Sequence, residues 1–192
     1  SFLLHKNQVE IIEDWQTMGL KATATHSFRV EEQWVHKKYS FVYNEVHQPH
    51  PIFKVNFSLF ADLTLWVNYL GMAEHFLEEA KIIGSSTKDI NQLKTYIEKG
   101  DSLLVDFAAE IEKSIEQGYT FSEKYINTVH HEASKSVQLL SRGILGTYPS
   151  LGILASTENH VLNHVFRDYF TATQNHIFRK GTTESRIVKD LE

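Results

Sequence analysis

The sequence predicts a mainly α chain, with a four-helix up-and-down bundle over residues 49–192 and a few β-strands over residues 1–48. Three observations predict it. The first part alternates apolar and polar positions over short runs rich in aromatic and β-branched side chains, the pattern of half-buried strands. The second part carries apolar positions three and four apart over four long stretches. Short connections containing Gly, Ser or Pro separate those stretches, so successive helices run antiparallel.

The elements follow in order. VEIIEDW reads as a short extended run, and Gly19 is a turn point before Leu20. His26–Val35 alternates, with Phe28 and Val30 on one side, and Lys37–Glu45 is again strand-like. Three strands make a poor independent domain. His50-Pro51 opens the first helix, because Pro suits a first turn. Its stripe runs Phe53, Phe57, Phe60, Thr64, Val67 and Leu70, with apolar residues on other faces too, and it ends near Gly84-Ser85-Ser86. A helix apolar on most sides is a central one.

Ser86 and Asp89 form a capping pattern for the second helix. Ile90, Leu93, Ile97, Leu104, Phe107, Ile111 and Ile115 keep one face, Lys99-Gly100-Asp101 is read as a kink, and Gly118 as the stop. Thr120 and Glu123 open the third helix in the same way. Ile126, Val129, Ala133, Val137, Leu140 and Ile144 form its stripe, and Gly146 and Pro149 end it. The fourth takes Ser156 or Thr157 as its cap. Leu162, Val165, Phe166, Tyr169, Thr173, His176 and Ile177 share its inward arc.

Composition narrows the class. The chain has 192 residues, 42% of them apolar and 22% charged, which fits one sizeable globular core. A net charge of −5 without clustered Lys or Arg argues against a nucleic-acid partner. With no cysteine, disulfides and thiolate chemistry are excluded, and a reducing cytoplasm is the expected compartment. The first ten residues show no secretory pattern. Residues 51–76 are long enough to span a bilayer but carry Lys54, Asn56, Asp62 and Asn68. A mid-bilayer Asp is costly, so no membrane association is expected.

Eleven histidines raise the question of metal. His160 and His164 lie four apart, yet no HExxH stands in register, and none of Glu110, Glu112 and Glu116 is followed by His at the third position. His130, His131 and Glu132 diverge around their helix. No metal site is expected.

Arg167 and Asp168 are adjacent, so they cannot face each other on a helix and each needs a partner elsewhere. An interhelical or intersubunit ion pair is one reading, and an anionic ligand group on Arg167 is the other. His176 is either a hydrogen-bonded core residue or a proton-transfer group. No nucleophile elbow, dinucleotide fingerprint or phosphate loop occurs.

Three segments share a resemblance. DWQTMGLKATATHSFRVEEQWV (Asp14 to Val35) resembles the last strands of the middle β-domain of acyl-CoA dehydrogenase-fold flavoproteins. HPIFKVNFSLFADLTLWVNYLGMAEHFLEEA resembles the first helix of their C-terminal bundle, and LNHVFRDYFTATQNHIF resembles the last long helix. The resemblance implies FAD or FMN as cofactor, a small-molecule or acyl-CoA-type substrate, and a homodimer or homotetramer built on the bundle. It also implies that residues 1–48 are an incomplete β-domain, so that the chain alone lacks a full active site.

Two branches of the fold differ in their chemistry. In many dehydrogenases a carboxylate base precedes a Gly-Thr; here Lys180 stands before Gly181-Thr182, with Glu184 following. A charged lysine cannot serve as that base. The flavin-dependent monooxygenases tend to read R-D-x-x-T before a His, which Arg167, Asp168, Thr171 and His176 match. That branch is favoured. It implies Arg167, Asp168 and Thr171 as cofactor-binding residues and His176 as the acid/base. A non-catalytic assembly bundle is the alternative from another class.

Overall fold

The computed structural model describes residues 1–42, 45, 47–84, 86–175, 177 and 178. Four helices dominate it: α1 Phe57–Ile83, α2 Thr87–Glu116, α3 Glu123–Thr147 and α4 Val161–Ala172. Two short strands precede them, β1 Glu10–Ile12 and β2 Ser27–Arg29, paired antiparallel with Ile11 opposite Phe28. The third expected strand differs. Lys37–Tyr39 forms a 3₁₀ turn, and Ser40 makes an isolated bridge to Phe2.

Side-chain caps set the helix starts, and they move several expected boundaries. His50-Pro51 opens only a 3₁₀ turn, Pro51–Lys54. α1 begins later because the Asn56 carboxamide accepts the Ser58 N–H at 2.9 Å. α3 is capped by Ser122 rather than Thr120, its hydroxyl accepting from Tyr125 N–H. α4 is capped by His160, whose Nδ1 accepts the Leu162 N–H at 3.2 Å, whereas Ser156 and Thr157 lie at the end of another 3₁₀ turn. α1 stops at Gly84, which takes the left-handed φ of 86° that favours glycine there.

α1 packs against the other three helices, as a central helix should. Its buried stripe is not the expected one, however. Leu59, Asp62, Trp66, Tyr69, Leu70, Ala73, Phe76, Leu77 and Ala80 face inward. Phe53, Phe57, Phe60 and Val67 are exposed. Periodicity cannot choose between two apolar faces of one helix, and only the partners decide. The outer stripe borders a groove of about 580 Å³, with Leu104, Ile111 and Ile115 of α2 on its far side.

The expected kink in α2 is absent. Gly100 lies in a continuous helix and is buried. A Cβ there would stand 2.6 Å from Ser136 Oγ and 2.8 Å from Leu70 Cδ2. The glycine therefore lets α1, α2 and α3 approach closely. Most of the buried apolar residues form one cluster around Trp66, Tyr69, Phe76, Leu140, Leu162 and Tyr169. Each such side chain contributes roughly 1.5–3 kcal/mol of burial. A smaller cluster joins Leu59, Ile111, Ile115 and Val129 at the other end of α1.

Two phenols tie α4 into the bundle. Tyr169 donates to the Val137 carbonyl at 3.2 Å and lies 3.1 Å from the Ser141 hydroxyl. Tyr69 donates to the Ala172 carbonyl at 2.6 Å. Burial pushes the Tyr69 phenol up to about 12 and raises that of Tyr169 also, so both remain neutral donors. Among the described residues no helix is long and apolar enough to cross a membrane.

Candidate functional site

The residues singled out on α4 meet the segment that precedes the bundle. Gly19 lies directly on the α4 backbone, where a Cβ would overlap the carbonyl group of Arg167 and the amide nitrogen of Asp168. Only glycine fits that approach. Leu20 follows with φ 52° and ψ 31°, a left-handed conformation that costs a non-glycine residue about 1 kcal/mol or more. Its N–H donates to Asp168 Oδ1 at 2.6 Å. Trp15 Nε1 and the Thr23 hydroxyl both donate to the Leu20 carbonyl, at 2.9 and 2.8 Å.

The ends of the segment are closed as well. Trp15 N–H donates to His26 Nδ1 and Ser27 N–H to Asp14 Oδ1. The Ser27 hydrogen bonds hold the Asp14 carboxyl below its usual range. Asp168 is thus the acceptor that joins residues 14–27 to the bundle.

Arg167 meets no carboxylate among the described residues. One terminal nitrogen lies 3.4 Å from His164 Nδ1, and its Nε is buried without a hydrogen-bond partner. Thr171 stands four residues on, on the same face. Its hydroxyl is likewise buried and has no partner among the described residues. Other helical threonines of this chain behave differently. Thr64, Thr95, Thr128 and Thr147 turn their hydroxyls to the carbonyl four residues back. Arg167 and Thr171 therefore present two unspent donors one helical turn apart, a pair that fits acceptor oxygens of a ligand. His176, the expected acid/base, lies outside the described residues, as do Lys180, Gly181, Thr182 and Glu184.

One polar pair was not anticipated. Asp62 of α1 is 1% exposed and His130 of α3 is 6% exposed, and Asp62 Oδ1 lies 3.0 Å from His130 Nδ1. Asp62 Oδ2 and His130 Nε2 have no partner among the described residues. The signal in the sequence was a lone Asp amid apolar residues, which requires a polar partner if it is buried.

The histidine abundance has a structural account as well. His26, His36, His50 and His160 each accept a backbone N–H through Nδ1. Among the described residues no group of three or more His, Asp or Glu is placed to hold a metal.

No protein-family model and no curated protein matches the chain. Solved structures do. The HsaA monooxygenase from M. tuberculosis superposes with a TM-score of 0.84 at 13% identity, over 98% of this chain and 56% of its own. The 3-HSA hydroxylase from Rhodococcus sp. RHA1 gives 0.84 at 14%, over 98% and 55%. XiaF from Streptomyces sp., solved in complex with FADH2 and glycerol, gives 0.82 at 12%, over 96% and 53%. The chain spans little more than half the length of these proteins. Its four helices and small sheet therefore have the fold of the corresponding portion of these proteins.

Proposed function

We propose that this chain is the helical portion of a flavin-dependent oxidoreductase that uses reduced flavin and dioxygen to oxygenate a small substrate. The observation that carries the reading is the α4 face, where Arg167 Nε and Thr171 Oγ1 are buried with no partner among the described residues. Arg167 and Thr171 hold acceptor oxygens of the flavin. Asp168 serves the same site by keeping the Gly19–Leu20 turn on α4. When bound, reduced flavin supplies the two electrons with which one oxygen atom enters the substrate and the other leaves as water.

His176 is the acid/base, moving a proton to or from the reacting oxygen or the substrate. Lys180 at the dehydrogenase base position weighs against the acyl-CoA dehydrogenase alternative. FAD and FMN both suit the two donors. The outer stripe of α1, with Phe57, Phe60 and Val67 exposed, supports assembly into a homodimer or homotetramer. A cytoplasmic location accords with the absence of cysteine.

The test of the catalytic assignment is His176→Ala in the whole, flavin-loaded protein of which this chain is the proposed helical portion. Turnover is expected to fall about a hundredfold, the usual scale of a positioned acid/base, with flavin retained. Full turnover in the variant would remove the role from His176.

A further inference from the structure

The Arg167–Thr171 face continues one helical turn further toward the start of α4. Asn163 lies four residues before Arg167, on the same face, and its Oδ1 is buried with no partner among the described residues. The other end of the amide fixes its orientation. Nδ2 donates to the Ala155 carbonyl at 3.3 Å, and an oxygen in its place would face another oxygen. Asn163, Arg167 and Thr171 are each half-buried, so the stripe meets solvent along its length. In order it presents an acceptor, a charged donor and a hydroxyl, spread over about 12 Å of helix.

Charge decides what fits. Arg167 meets no carboxylate among the described residues, and Asp168 beside it turns to the Leu20 amide instead. One terminal nitrogen of Arg167 lies by His164, which leaves the Nε edge for a ligand. The ring of a flavin offers neutral carbonyl oxygens over a shorter distance than the stripe. A phosphate offers negative charge and several acceptor oxygens, which a guanidinium and a hydroxyl can share. The carbonyl end of α4 is already hydrogen-bonded and does not turn bare acceptors toward such an anion. The Tyr169, Thr171 and Ala172 carbonyls accept the N–H groups of Thr173, Gln174 and Asn175, and the Phe170 carbonyl accepts from Thr173 Oγ1. The Asn163 oxygen asks for a donor beside the anion. The ribityl chain of a flavin carries hydroxyls up to its phosphate and supplies both in that order.

We propose that α4 binds the ribityl-phosphate end of the flavin rather than its ring, with Arg167 and Thr171 donating to phosphate oxygens and Asn163 accepting from a ribityl hydroxyl. The inference rests on the reading of this face as the flavin site, and it adds Asn163 to that site.

Three flavins separate the parts. Lumiflavin carries the ring alone, riboflavin adds the hydroxyl chain and FMN adds the phosphate. Each is reduced and titrated anaerobically into the whole flavoprotein of which this chain is the proposed helical portion, with flavin absorbance as the readout. Arg167→Ala is expected to weaken FMN about tenfold or more and to leave riboflavin unchanged. Arg167→Lys, which keeps the charge without the planar fork, should retain part of the preference for FMN. Asn163→Ala should weaken FMN and riboflavin alike, about fivefold, and leave lumiflavin unchanged. Inorganic phosphate should compete with FMN and not with lumiflavin.

Equal weakening of all three flavins by Arg167→Ala would place the ring on the arginine and overturn the inference, while the flavin reading of the face would stand. Failure of phosphate to compete with FMN would overturn the phosphate assignment. Unchanged affinities in Asn163→Ala would remove that residue from the site. Flavin binding that none of the variants alters, or no binding to the parent, would overturn the flavin reading and this inference with it.

Discussion

Gly19→Ala is expected to release residues 14–27 from α4 while leaving the bundle folded. The added methyl would overlap the main chain at Arg167 and Asp168, and a helix backbone cannot move aside as a flexible side chain can. Overpacking of this kind costs about 1–3 kcal/mol. Undocking also removes the hydrogen bond from Leu20 to Asp168 and leaves the left-handed Leu20 without its support. Lys21, next in the chain, reports the change directly. Trypsin should cut after Lys21 faster in Gly19→Ala than in the parent, with far-UV helicity unaltered. Asp168→Ala should act in the same direction, since a hydrogen bond to a charged acceptor contributes about 1.5–3 kcal/mol. Asp168→Asn keeps an acceptor oxygen and should retain most of the protection. An unchanged cutting rate in Gly19→Ala and Asp168→Ala would mean that Asp168 does not hold this segment.

The second large effect belongs to the buried pair. Asp62→Ala would strand His130 between α1 and α3 with neither ring nitrogen partnered among the described residues, in a site already closed by Phe178. Breaking one half of a buried pair typically costs about 3–5 kcal/mol. For a chain of this length that corresponds to a Tm lower by roughly 6–20 °C. Asp62→Leu combined with His130→Met should recover most of the loss, because the pair stabilises chiefly against its own separation. Thermal unfolding of the single and double variants measures this. A single variant within about 1 kcal/mol of the parent would show that the pair is not closed to water in solution.

The bundle was legible because each helix carries its own period, and because glycines and capping side chains punctuate the chain. Residues 90, 93, 97, 104 and 111 of α2 show it plainly. Less was legible where two local signals compete. α1 is apolar on two faces, and only its contacts with α2, α3 and α4 select the stripe through Trp66 and Phe76. Gly100 reads as a break from propensity alone, yet it serves close packing against Leu70 and Ser136, a requirement set by residues far away in sequence.

The site divides in the same way. Thr171 entered only through the family resemblance, whereas Arg167 and Asp168 stood out in the sequence as polar residues on an apolar helix. The partner of Asp168 could not, because the Leu20 amide lies 148 positions away and is a backbone group that no residue type announces. Asp62 and His130, 68 positions apart, were each visible and were not joined. His130 was grouped with His131 and Glu132, its neighbours in sequence, when its partner was on another helix.

The central claim is that α4 holds a flavin through Arg167 and Thr171. Titrating the whole flavoprotein of which this chain is proposed to be the helical portion with reduced FAD and reduced FMN, followed by flavin absorbance and fluorescence under anaerobic conditions, tests it most directly. Arg167→Ala and Thr171→Val are to be run beside the parent. The account predicts saturable binding to the parent, weakened about tenfold or more in Arg167→Ala and about fivefold in Thr171→Val, with helicity preserved. Equal affinity in all three proteins, or no binding of either flavin to the parent, would contradict it.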